Sequence, residues 1–148
     1  MMNRREAREA ALALIFESEF QGEALKEEIL ELARGARELE DDEYVRSVFF
    51  ASVENREQID ERIARFAVGR SIHRISKVAL AVMRLSITEM LFLPESYTAD
   101  LPYWVSINEA LELVKRYDHD VPPAFVNGIL NAVAEEGGLK TQTRQEGK

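Results

Sequence analysis

The chain has 148 residues, 46% of them hydrophobic and 31% charged, with a net charge of −8 and no cysteine. That is the size and composition of one compact domain with its own core, and it excludes disulfides, thiolate metal sites and cysteine nucleophiles. The N-terminus lacks the apolar core of a signal peptide and no apolar run approaches a membrane span, so the expected location is cytoplasmic, with no membrane contact.

Apolar spacing is helical nearly throughout, without strand-like alternation or an internal repeat. The expectation is an all-α bundle of six or seven helices. A first helix spans about 4–20, with Ala7, Ala11, Leu14 and Ile15 on one face, and Gln21-Gly22 ends it. A short acidic helix follows at about 23–37, striped by Leu25, Ile29 and Leu32. ELEDDE (38–43) is a loop and a helix start. One long helix is predicted over 43–67, with Tyr44 or Val45, Val48, Ser52, Ile59, Ile63 and Phe66 inward and Gly69 closing it.

The helix predicted over 76–93 differs in kind. Val78, Val82, Leu85, Ile87, Met90 and Leu91 point in nearly every direction, as in a helix surrounded by others. Lys77, Arg84 and Thr88 form its one polar strip. PESYTADLP (94–102) breaks the helix with two prolines. Ser106 and Glu109 read as a capping box ahead of Ile107, Ala110, Leu111 and Val114. After a loop at 118–121, Pro122-Pro123 opens the last helix, which ends at Gly137-Gly138. Residues 1–138 thus form one domain, and 139–148 a disordered polar tail.

Charge is unevenly placed. Residues 17–43 hold eleven acids against three bases, so they carry the whole net charge. Residues 62–88 hold Arg62, Arg65, Arg70, Arg74, Lys77 and Arg84 and no acid. A basic face on an acidic chain permits a polyanionic partner, and is equally read as simple charge balance. Catalysis is not indicated. No glycine-rich loop follows a strand, no serine sits in a nucleophile elbow, and the glutamates define no buried acid–base pair. Asp118-His119-Asp120 reads as a solvated loop rather than a metal site. No enzyme activity, metal or cofactor is expected.

Two regions remain. On the first helix Arg5, Arg8, Leu12 and Phe16 share a stripe. Arg4, Arg5 and Arg8 oppose the helix macrodipole. They are either a solubilising start or phosphate ligands, with Phe16 as an apolar contact beside them. Near the C-terminus, Tyr117 and Phe125 flank a Pro-containing loop, as core residues or as platforms for unpaired bases. Lys115 and Arg116 suit a helix end, with Glu112 placed to pair with Arg116. Gly128, inside a helix, suggests close approach of another helix or a partner.

RREAREAALALIF (4–16), VALAVMRLSITEM (78–90), LPYWVSINEALELVKRY (101–117) and FVNGIL (125–130) together resemble the NusB transcription antitermination family. The resemblance covers residues 4 to 135. It implies two packed three-helix bundles. It also implies binding of single-stranded boxA RNA in ribosomal-RNA leader transcripts, jointly with the small-subunit ribosomal protein that acts as NusE, in an antitermination complex on RNA polymerase. By position Arg4, Arg5, Arg8, Phe16, Tyr117 and Phe125 are the implied RNA contacts. Ala79 stands where the family usually has an acid, and Thr88 where it has Tyr. Lys77, Arg84 and Thr88 are the expected partner-docking strip. Two other readings stay open: the RNA-binding appendage of a ribosomal-RNA cytosine methyltransferase, and a NusB-like protein adaptor with weak or no RNA binding.

Overall fold

A computed structural model describes residues 3–21, 42–98 and 101–141. Seven α-helices and no strand occur among them. Helix α1 spans Arg4–Gln21. Asn3 Oδ1 accepts the Glu6 N–H at 2.8 Å and Glu6 Oε1 accepts the Asn3 N–H at 3.0 Å, a reciprocal cap that fixes the helix start. Ala7, Ala11, Leu14 and Ile15 are buried, as their spacing requires. The acidic helix expected at 23–37 lies outside the described residues.

The single helix expected over 43–67 is two. Helix α2 (Glu43–Glu54) starts on Asp42, which accepts the Val45 N–H. Asn55 ends it. Its side-chain amide and its backbone N–H both donate to the Ala51 carbonyl, a local bond that competes with helix continuation. Helix α3 (Arg56–Phe66) begins after it, burying Ile59 and Ile63. Gly69, at φ +78°, closes the segment in the left-handed region.

A 3₁₀ turn at Ile72–Arg74 leads to Ser76, which caps helix α4 (Lys77–Ile87). Every residue from Ala79 to Ile87 is buried. Helix α4 packs on α1, α2 and α3, and on the two C-terminal helices α6 (Tyr103–Tyr117) and α7 (Pro123–Glu136). It is the centre its all-round apolar character predicted. At its end the Thr88 hydroxyl donates to the Arg84 carbonyl. Here the helix widens into a π turn, Thr88–Phe92.

After Pro94 a one-turn helix, α5 (Glu95–Thr98), is pinned to α2 by Tyr97, whose hydroxyl meets Ser47 and whose ring meets Tyr44 edge-on. Helix α6 starts three residues before the expected capping box. Ser106 and Glu109 are not caps; both side chains bond to other elements. Helix α7 begins on Pro123, as predicted. Among the described residues a Cβ on Gly128 would meet nothing within 4 Å, so no other described helix approaches there. Leu139–Thr141 make a 3₁₀ turn with Leu139 against the core, and residues 142–148 lie outside the described residues.

Polar contacts tie the helices at the lower end of α1. Glu19 accepts from Arg56 of α3 at 2.5 Å and from Lys77 and Arg84 of α4 at 2.8 and 2.6 Å. Burial alone would push the Glu19 carboxyl up. The three cations overcome this and hold it at about 2, against an ordinary 4.5. A depressed carboxylate contributes stability that is present above its unfolded pKa and lost as pH falls towards the folded value. Glu19→Gln should therefore lower the urea midpoint at neutral pH and flatten its fall from about pH 5 to about pH 2. An acid limb of the same depth in both proteins would show that Glu19 ties nothing.

Candidate nucleic-acid interface

The three N-terminal arginines have three different environments. The Arg4 guanidinium lies exposed over the Tyr44 ring, 3.9 Å from its centroid. Arg5 is also exposed. Its Nε and Nη2 donate to the two oxygens of Glu109 on α6 at 3.1 and 2.9 Å. Arg8 is only 3% exposed. Its Nε donates to Glu89 in the π turn at 2.8 Å, and the other Glu89 oxygen accepts from Ser106 of α6 at 2.8 Å. Burial pushes the Glu89 carboxyl up, against the opposing pull of Arg8 and Ser106. Arg8 therefore holds α1 to the π turn and offers no surface to a phosphate. The shared arginine stripe hid this division, because each partner lies on a distant segment.

Beyond Arg5 the α1–α6 edge opens into an apolar groove of about 350 Å³, lined by Glu9, Leu12, Ala13, Phe16, Val78, Ala81 and Tyr117. Phe16 and Tyr117, predicted separately, are brought together here. Phe20 meets Phe16 edge-on at 5.3 Å and extends the exposed aromatic surface. Tyr117 is 49% exposed, and its hydroxyl lies 3.4 Å from Glu9. A smaller notch alongside is lined by Arg5, Glu9, Glu109, Glu112, Leu113 and Arg116. Arg116 pairs with Glu9 across the helices, not with Glu112, which instead meets Lys115. Glu9 borders both hollows. One turn from Arg5 and from Ala13, it is placed by helical spacing alone, yet its role shows only once α6 is in position.

Phe125 lines neither hollow. It is half-buried at the start of α7 beneath the Arg70 guanidinium, 4.7 Å from its ring centre. The expected docking strip is mostly interior. Thr88 is fully buried, and Arg84 is 4% exposed with its fork on Asp60 and its remaining amine on Glu19. Only Lys77 of the three reaches the surface. Asp118 accepts from Ser76 and from the Asp120 N–H, so it secures the loop to the cap of α4. No group of three His, Asp or Glu side chains placed to hold a metal occurs among the described residues. None of the described helices is long and apolar enough to cross a membrane.

A model of the NusB family matches residues 5–135. The chain belongs to the NusB family. It is 37% identical over 139 residues to the transcription antitermination protein NusB of Natranaerobius thermophilus, covering 91% of this chain and 96% of that one. It is 39% identical over 135 residues to the same protein of Acetivibrio thermocellus, covering 90% of each. Both relatives are named for transcription antitermination rather than for a catalysed reaction. The solved structure of T. maritima NusB superposes with a TM-score of 0.76 at 34% identity, over 91% of this chain and 92% of that one. A crystal structure of the antitermination factors NusB and NusE in complex with dsRNA gives a TM-score of 0.75 at 24% identity, over 90% and 96%. At that identity it shows likeness of fold.

In this NusB-family chain, Arg8→Ala would leave the buried Glu89 carboxylate without its cation. The expected cost is about 3–5 kcal/mol in urea denaturation, with part recovered by adding Glu89→Gln. A cost below about 1 kcal/mol, the scale of an exposed pair, would return Arg8 to the surface set.

Proposed function

We propose that this chain is a cytoplasmic transcription antitermination factor. In this reading it binds boxA-type single-stranded RNA of ribosomal-RNA leader transcripts, together with the small-subunit ribosomal protein acting as NusE, in an antitermination complex on RNA polymerase. The activity belongs to the one helical domain, residues 1–138. One observation carries the reading: the exposed Arg4 and Arg5 stand at the head of α1, and the same helix leads into a groove walled by Phe16 and Tyr117. Guanidinium groups beside exposed aromatic rings suit single strands, whose phosphates take the cations and whose unstacked bases take the rings. Family membership supports it, as does the existence of a complex of a protein of this fold with NusE and dsRNA.

In this reading Phe125, half-buried beneath Arg70 at the start of α7, is a separate aromatic contact, and Lys77 is the exposed residue of the docking strip left for the protein partner. A basic ribosomal protein docked on this acidic chain adds cations for the same RNA, so the two ligands tighten each other's binding by one factor. A second reading, a protein adaptor with weak RNA affinity, draws on the pairing of Arg5 with Glu109 and of Arg116 with Glu9.

Fluorescence anisotropy with boxA-type RNA over a range of salt concentrations separates the two readings. Arg4→Ala with Arg5→Ala should weaken binding and lower the log–log salt slope by about 0.7 per lost phosphate contact, leaving the melting temperature nearly unchanged. Phe16→Ala or Tyr117→Ala should cost about 1–3 kcal/mol of affinity, the scale of one stacked base. Affinity and slope unmoved by all of these changes would favour the adaptor.

A further inference from the structure

The two exposed guanidinium groups that border the notch are each held by a carboxylate from the opposite helix. Arg5 of α1 takes both oxygens of Glu109 on α6. Arg116 of α6 is held in return by Glu9 on α1. With Glu112 on the rim, the notch has three carboxylates against two guanidinium groups. A polyanion approaching the head of α1 therefore meets a slightly negative hollow, although two arginines line it.

The Glu109 contact is made for exchange. Arg5 is 68% exposed and Glu109 18%, so the cation lies on the solvent side and the carboxylate beneath it. Behind the carboxylate stands a second cation: Arg8 Nη1 is 3.7 Å from Glu109 Oε1, too long for a hydrogen bond and close enough for charge attraction. Arg8 is also incompletely used, since its buried Nη2 has no hydrogen-bond partner among the described residues. If Arg5 turns to another anion, Glu109 is not stranded. It retains Arg8. The Arg5 hydrogen bond, then partial burial and the charges of Arg5 and Arg8, set the Glu109 carboxyl; the net effect holds it below its ordinary range, so it stays ionised at neutral pH.

We propose that Glu109 is an internal competitor for Arg5, a built-in anion that attenuates RNA binding until a phosphate takes its place. This rests on the reading of Arg5 as a phosphate contact. The free chain is then held in a weakly binding state by its own α1–α6 cross-pairs, and anything that draws Glu109 away raises the affinity of the same face. The contact acts on affinity and salt dependence rather than on stability, because the pair is at the surface.

The test is a cycle of four proteins: wild type, Glu109→Gln, Arg5→Ala and the double variant. Each is titrated by anisotropy with boxA-type single-stranded RNA at several salt concentrations, and its urea midpoint is measured alongside. Gln keeps the shape of Glu and one acceptor while removing the charge. Glu109→Gln should tighten binding about fivefold, the effect of one unit charge at about 4 Å in water, and steepen the log–log salt slope by up to about 0.7. The gain should vanish in the double variant. Weaker binding by Glu109→Gln would overturn the proposal and make Glu109 a residue that presents Arg5. A gain that persists without Arg5 would overturn it too, by placing the effect elsewhere. Arg5→Ala with unchanged RNA affinity would instead refute the phosphate contact itself, and the competition with it. Glu112→Gln is the control for general charge: an equal gain there would show that Glu109 has no special place.

Discussion

Arg8 and Glu89 form an ion pair almost wholly removed from water, with side chains 4% and 0% exposed. Taking two charges out of solvent costs several kcal/mol per ion, and only good geometry and further hydrogen bonds offset it. Here the second Glu89 oxygen takes the Ser106 hydroxyl, which also meets Ser86. Three elements meet at this one carboxylate: α1 through Arg8, the π turn through Glu89, and α6 through Ser106. The arrangement leaves little freedom in how α1 lies against α6. That setting decides the surface. It places Arg5 opposite Glu109 and Arg116 opposite Glu9, and it brings Phe16 beside Tyr117 over the groove.

A related device works at the other end of α1. Glu19 gathers Arg56, Lys77 and Arg84, and Arg84 also forks onto Asp60. The central helix thus carries a buried cation and, in its π turn, a buried anion, each answered by a residue of α1. Both devices draw on the cations of an acidic chain. Much of its positive charge is spent holding helices together. Of the exposed cations, Arg4 and Arg5 stand at the head of α1, and Arg5 is partly neutralised by Glu109 of α6.

The architecture was legible because it follows from spacing within single segments. Ala7, Ala11, Leu14 and Ile15 gave the inner face of α1, and the apolar residues around α4 gave its central place. Gly69 and Pro123 marked boundaries that the backbone honours. Local competition by side chains was less legible. The Asn55 amide breaks what apolar period alone reads as one helix, and the Thr88 hydroxyl lies where α4 becomes a π turn. Partnership between distant residues was not legible at all. Arg5 and Arg8 look alike on the helix wheel, yet Arg8 meets a residue 81 positions away and Arg5 one 104 positions away. Ser106 and Glu109 fit a capping box and serve instead as partners of Glu89 and Arg5. A single sequence contains the period of a helix and does not contain which helix it faces.

The arginines of α1 divide by role: Arg4 and Arg5 are exposed and are the proposed RNA contacts, and Arg8 holds the core. The most direct measurement follows the Nε–Hε resonances of these side chains by NMR as boxA-type RNA is added to the ¹⁵N-labelled chain. The Arg4 and Arg5 signals should shift in step with saturation, while the Arg8 signal, locked on Glu89, should stay in place and exchange slowly with solvent. A large shift of Arg8 with Arg4 and Arg5 unmoved would contradict the division, and with it the placement of the RNA along the exposed α1–α6 edge.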